Sequence, residues 1–132
     1  MQPVQLSPDI YWVGVNDRHT EKFENLWSIR ETGISYNSYF IMDEKKAIID
    51  LCNEMSIDEL FDQLRRFIDP ADLDYIVINH MEPDHSGGLK ALLNLAPSIK
   101  LLGTARTKEM LESFYGITEN IHVVTDGEEL DL

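Results

Sequence analysis

The chain has 132 residues, one domain's length with room for a modest core, and its apolar fraction of 43% is that of a globular protein. Eleven basic against twenty-four acidic side chains give a net charge of −13, a field that repels phosphate backbones and argues against nucleic acid as a partner. No apolar run approaches the ~20 residues of a membrane span, no charged-then-apolar leader opens the chain, and the one cysteine, Cys52, permits no internal disulfide, so the expectation is a cytoplasmic protein without a membrane anchor.

Ile10 to Val15 reads as a strand, because Ile-Tyr-Trp-Val-Gly-Val is rich in β-formers and bounded by Pro8 and Asn16. Arg18 to Gly33 is irregular and holds Phe23, Leu26, Trp27 and His19, the last expected at the surface. Tyr36 to Met42 and Lys46 to Asp50 form two strands around the turn Asp43-Glu44-Lys45. Cys52, just after them, reads as a small packed apolar residue. Ser56 and Glu59 have capping-box spacing, and Ile57, Leu60, Phe61, Leu64, Phe67 and Ile68 follow on one helical face until Asp69-Pro70. Tyr75 to Ile78 is a short apolar run, the mark of a strand buried on both faces. Beyond the polar loop Asn79 to Gly88, helices are expected over Leu89 to Ala96 and Thr104 to Tyr115. Strands are expected over Lys100 to Gly103 and His122 to Val124, with a further strand beginning at Glu128. His122 reads as structural. This alternation specifies an α/β domain with a largely buried sheet. A chain that stops inside a fresh strand reads as one half of a larger unit.

The loop Asn79-His80-Met81-Glu82-Pro83-Asp84-His85-Ser86-Gly87-Gly88 carries four potential metal ligands: His80, Glu82, Asp84 and His85. They follow a buried strand and precede a helix, where α/β sheets place their ligands. Two imidazoles and two carboxylates suit iron, manganese or zinc. Four ligands in six residues are too crowded for one ion. Alternation in an extended chain lets His80 and Glu82 share one metal, with Asp84 and His85 nearer a second. Pro83 stiffens the loop, and Gly87 and Gly88 let the backbone turn closely into the helix.

The pattern His-x-[His/Glu]-x-Asp-His after a strand resembles the metallo-β-lactamase-like superfamily. The form with Glu82, where most zinc hydrolases of that group have a second histidine, resembles the flavodiiron proteins. Ile10–Val15, Gly33-Ile-Ser-Tyr-Asn-Ser-Tyr39 and Asp74–Gly87 extend the similarity over nearly the whole chain. The resemblance implies the N-terminal half of an αββα sandwich, a mixed sheet with helices on one face. It implies a di-iron site with His80 and Glu82 on one iron and Asp84 and His85 on the other, and Asp50 beneath the site, orienting the loop. Further ligands and an FMN-binding flavodoxin-like domain would lie beyond Leu132.

The family reduces dioxygen to water or nitric oxide to nitrous oxide, with electrons from a flavin or rubredoxin-type donor. The 132 residues alone are therefore expected to be inactive, and to form a homo-oligomer or pair with a chain supplying the missing half. Ile48, Ile76, Ile78, Leu101 and Val123 are candidates for the face so covered, or for the face under the helices. The alternatives are a non-catalytic di-iron oxygen sensor, a zinc-dependent hydrolase of the same superfamily, and a genuinely short protein completed by a second chain.

Overall fold

A computed structural model describes all 132 residues. Seven strands form one mixed sheet: β1 (Val4–Ser7), β2 (Ile10–Trp12), β7 (Tyr39–Met42), β8 (Lys46–Ile49), β9 (Tyr75–Val77), β10 (Lys100–Gly103) and β11 (Ile121–Val123), in the spatial order β1-β2-β7-β8-β9-β10-β11. β1, β2, β7 and β8 pair antiparallel, whereas β8, β9, β10 and β11 run parallel. Two small ribbons stand apart: β3 (Val15–Asp17) pairs with β6 (Ile34–Tyr36), and β4 (Lys22–Phe23) pairs with β5 (Trp27–Ser28). The parallel strands are joined by α1 (Ile57–Leu64), by the short α2 (Pro83–Ser86) followed by α3 (Leu89–Leu95), and by α4 (Ala105–Met110). No helix is long and apolar enough to cross a membrane.

Pairing register separates the two faces of the sheet. Tyr11, Phe40, Ile48, Ile76, Leu101 and Ile121 form one row across six strands. Phe40, Ile48, Ile76 and Leu101 of this row share a single core cluster with Leu60 and Leu64 of α1, Leu89 and Leu92 of α3, and Leu111, and Tyr11 and Ile121 pack against it, so the helices cover one face. Ile48, Ile76, Ile78, Leu101 and Val123 all lie on that side.

The opposite face carries two rows. One runs Ile10, Ile41, Ala47, Tyr75; the other runs Trp12, Tyr39, Ile49, Val77, Leu102. None of these nine residues joins the core cluster. Ala47 and Leu102 are buried, and the other seven are half-buried. This is an apolar sheet face of the kind that normally packs on another layer.

Several expected elements take a different form. Ile10–Val15 is not one strand: it breaks at Val13-Gly14, and its ends enter different sheets. The break requires Gly14, because a Cβ there would stand 2.2 Å from the Tyr36 carbonyl oxygen and 2.8 Å from the Trp12 ring. Gln63, fully buried on α1, secures it by donating from Nε2 to the Gly14 carbonyl at 2.5 Å. Tyr36–Met42 breaks similarly at Asn37-Ser38.

The Ser56–Glu59 capping box does not form. Asn53 instead accepts from the Ser56 N–H at 2.9 Å, capping a 3-10 turn that leads into α1. Asp69-Pro70 does not stop α1, which ends at Leu64; Asp69 caps a separate turn, Pro70–Asp72. The helix expected over Thr104–Tyr115 is α4 followed by a π-helical turn, Leu111–Tyr115. Residues after Glu128 form no strand. Glu128 instead receives the Thr125 N–H and pairs with His122 Nε2 at 2.5 Å, so the expectation of an interrupted final strand is overturned. β1 had no place in the sequence reading, because Val4 and Leu6 are exposed and no buried face marks them.

Cys52 is fully buried, and its surroundings push the thiol up to about 12, chiefly through burial with Glu59 adding to it. The thiolate is the reactive form. Cys52 is therefore expected to ignore a disulfide reagent at pH 8 in the folded protein and to react stoichiometrically once unfolded. Rapid labelling of native protein would contradict this packing.

Candidate metal centre

The loop after β9 emerges at the C-terminal end of the parallel strands, and its conformation is set by anchors on the preceding crossover. Asp50 Oδ1 accepts the N–H groups of Asn79 at 2.8 Å and His80 at 3.2 Å. Asp50 holds φ at +54°, a left-handed conformation that Asp and Asn tolerate better than most residues. Burial pushes its carboxyl up, against the two backbone N–H groups that favour the charged form. The Leu51 N–H donates to the His85 carbonyl at 3.0 Å, and the Gly88 N–H to the Cys52 carbonyl at 3.1 Å. Gly87 meets the same segment so closely that a Cβ would lie 2.8 Å from the Glu54 nitrogen.

The loop is not extended throughout. Pro83 occupies the first turn of α2, where its missing N–H costs nothing. This helical turn overrides the alternation expected from the sequence. His80 Nε2 lies 3.4 Å from Glu82 Oε2 and 3.5 Å from Asp84 Oδ1. One ligand atom from each of these three residues falls within 4.8 Å of the others. His85 stands beside this trio: its Nε2 is 3.9 Å from Asp84 Oδ2, and its ring meets the His80 ring edge-on at 5.3 Å. Asp84 thus presents one oxygen toward each imidazole.

The burial is graded. The His80 and Glu82 side chains are 45% and 61% exposed, against 22% for Asp84 and 19% for His85. Asp84 Oδ1 and His85 Nδ1 are buried with no hydrogen-bond partner. Buried carboxylate and imidazole atoms left unpaired are costly, and a cation is the partner that suits the carboxylate. The donor set of two imidazoles and two carboxylates fits iron, manganese or zinc.

A cleft opens onto these residues, lined in part by Thr20, Lys22, Phe23, Tyr36, Glu82 and Asp84. Two of its lining residues, Thr20 and Tyr36, bond to a buried carboxylate that no sequence pattern singles out. Asp17, buried at the end of β3, accepts from the His19 and Thr20 N–H groups, the Thr20 hydroxyl and the Tyr36 hydroxyl. Burial pushes the Asp17 carboxyl up, but the hydrogen bonds from Thr20, His19 and Tyr36 outweigh it and hold the group below its usual range. Burial raises Tyr36, and its ring stands edge-on to His85 at 6.5 Å. Only the three-dimensional pairing of β3 with β6 joins Asp17 to Tyr36; the sequence signal was limited to the segment Gly33–Tyr39. His19 is exposed, and His122 lies on β11 against Glu128; neither enters the cluster.

Residues 34–132 match the family model described as ODP family beta lactamase. The chain belongs to that family. The ODP-family assignment agrees with the architecture of a mixed sheet covered by helices on one face. Among curated relatives, a nitric oxide reductase of Moorella thermoacetica is 36% identical over 132 residues, covering 99% of this chain and 33% of that protein. Among solved structures, a mutant flavo di-iron protein from Thermotoga maritima superposes with a TM-score of 0.87 at 35% identity, covering 98% of this chain and 32% of the other. Rubredoxin oxygen:oxidoreductase from Desulfovibrio gigas superposes with a TM-score of 0.88 at 29% identity, over 96% and 32% of the two chains. The chain thus spans about a third of the length of these relatives.

Asp50 anchors the candidate ligand loop, so any metal held there should depend on it. Asp50→Ala removes the acceptor for two N–H groups and places alanine at a positive φ, so metal affinity should fall by about 10- to 100-fold. Asp50→Asn keeps an acceptor oxygen and tolerates the backbone, and should retain most of it. Metal titration with a chromogenic competitor checks the pair; equal affinity in wild type and Asp50→Ala would contradict the role.

Proposed function

We infer that these residues are the metal-binding part of a flavodiiron-type reductase, which reduces dioxygen to water or nitric oxide to nitrous oxide at a di-iron site. The observation that carries this reading is the convergence of His80, Glu82, Asp84 and His85, with Asp84 Oδ1 and His85 Nδ1 buried without hydrogen bonds. The names of the relatives, a nitric oxide reductase and an oxygen oxidoreductase, support the reaction class.

In this reading His80 and Glu82 hold one iron and Asp84 and His85 the other, with Asp84 between the two imidazoles. Held there, the two irons would supply the redox chemistry for the diatomic substrate. The protein's part is geometry and access. Asp50 sets the direction of His80 through its backbone N–H. Asp17 fixes the Tyr36 hydroxyl, and Tyr36 walls the cleft beside His85. Exposed Glu82 faces that cleft and has freedom to adjust to a ligand.

Residues 1–132 form one half of an αββα sandwich in this account. The face bearing Ile41, Tyr39, Ile49 and Val77 receives a second sheet, from the same polypeptide or another. A flavin or rubredoxin-type donor supplies the electrons, and the chain forms a homo-oligomer or pairs with one that supplies the missing half.

The test is substrate consumption by the natural-length protein loaded with iron and given a flavin-reducing system. Sustained loss of nitric oxide or dioxygen is expected, with none from residues 1–132 alone. Iron-loaded natural-length protein that consumes neither gas overturns the reading.

A further inference from the structure

The metal-binding turn is anchored on one side by residues 50–52, as described above. On its other side it is anchored by a residue nearly thirty positions downstream. Ser86, 1% exposed, directs its hydroxyl at the Met81 carbonyl at 2.8 Å and the Glu82 carbonyl at 3.0 Å. The Tyr115 hydroxyl lies 2.7 Å from Ser86 Oγ. A serine hydroxyl has one proton and two lone pairs. With two carbonyls in reach, that proton is committed to them, so Tyr115 is the donor to Ser86. The result is a directed chain: Tyr115 hydroxyl to Ser86 hydroxyl to the Met81 and Glu82 carbonyls, which flank Glu82 in the backbone.

The local backbone is shaped to make this contact. After α4 the helix widens into the π-turn Leu111–Tyr115 and closes on Gly116 at φ +68°. A π-turn is rare and is found often at functional sites. Here it ends with the Tyr115 side chain against the metal-binding turn. α2 has only four residues, far too few to hold its own shape. Its geometry comes from its anchors.

We propose that Tyr115 is a positioning residue for the metal centre, acting through Ser86 to fix the backbone that carries Glu82 and Asp84. The proposal rests on the reading of His80, Glu82, Asp84 and His85 as metal ligands. Tyr115→Phe deletes only the terminal oxygen and keeps the ring. Ser86 then keeps its carbonyl bonds but loses its incoming donor, and the turn gains freedom at Glu82.

The experiment compares natural-length wild type, Tyr115→Phe, Ser86→Ala and the double variant, each loaded with iron and challenged with a chelator. Tyr115→Phe should release iron roughly tenfold faster, as expected for an outer-shell partner. Ser86→Ala should do at least as much, and the double variant should match Ser86→Ala alone, because both substitutions cut one chain. Melting temperatures of the metal-free proteins separate this from general damage: Tyr115→Phe should shift iron release far more than melting. If wild type holds iron and Tyr115→Phe releases it at the same rate, the proposal falls and the metal reading stands. Additive effects of the two substitutions also overturn it. Wild type that binds no iron overturns the metal reading and this proposal together.

Discussion

Asp84→Ala should strip the protein of iron without weakening its fold. Asp84 has an oxygen toward each imidazole, 3.5 Å from His80 Nε2 and 3.9 Å from His85 Nε2, so its removal takes a ligand from the centre of the cluster. Even outer-shell substitutions cost 10- to 100-fold in metal affinity, and loss of this ligand should cost more than about 100-fold. The metal-free protein should behave in the opposite way. Asp84 Oδ1 is buried without a hydrogen bond, and deleting such a group is neutral or stabilising by up to about 1 kcal/mol. Iron content after desalting and thermal melts of the metal-free forms give the two readouts. A variant that keeps its iron, or one whose metal-free form melts far below wild type, would mean that Asp84 is structural.

Residues 1–132 expressed alone should associate through the open face of the sheet. That face carries Ile10, Ile41 and Tyr75 in one row and Trp12, Tyr39, Ile49 and Val77 in the next, all half-buried and outside the core cluster. Soluble monomers rarely expose more than a few hundred Å² of contiguous apolar surface. Covering about 400 Å² at roughly 25 cal/mol per Å² stabilises by about 10 kcal/mol, comparable to a domain's whole stability. Sedimentation at micromolar concentration should therefore show dimers or larger species. Ile41→Lys combined with Val77→Lys should return the chain toward monomer, because both side chains lie on that face. Ile48→Ala should leave association intact and cost about 2–5 kcal/mol of stability, because Ile48 is fully buried under the helices. A strictly monomeric wild-type chain with a sharp melt would contradict an open face that needs a second layer.

The buried parallel strands were legible in the sequence for a simple reason. Ala47-Ile48-Ile49 and Tyr75-Ile76-Val77 are short apolar runs between polar breaks, and a strand covered on both sides selects for that. The Ile10–Val15 run misled because composition alone does not reveal a change of sheet. The break at Gly14 depends on the Tyr36 carbonyl, more than twenty residues away. At the start of α1, both Ser56 and Asn53 are good caps. The intervening 3-10 turn decides for Asn53, and no local pattern signals it.

The candidate site divides along the same line. His80, Glu82, Asp84 and His85 share one loop, so sequence spacing could single them out together. The helical turn at Pro83, which brings Asp84 between the two histidines, was masked by the assumption of an extended chain. The supporting groups are legible only in part. Asp50 ends a strand and could be marked by that position. Asp17, Tyr36, Ser86 and Tyr115 act through contacts between distant segments, and in the sequence each is an ordinary polar residue.

The most direct measurement is anomalous diffraction at the iron edge from the natural-length, iron-loaded protein. Two iron peaks are expected at this loop, one against His80 and Glu82 and the other against Asp84 and His85. Iron bound elsewhere, or no iron peak within coordinating distance of these four side chains, would contradict the account.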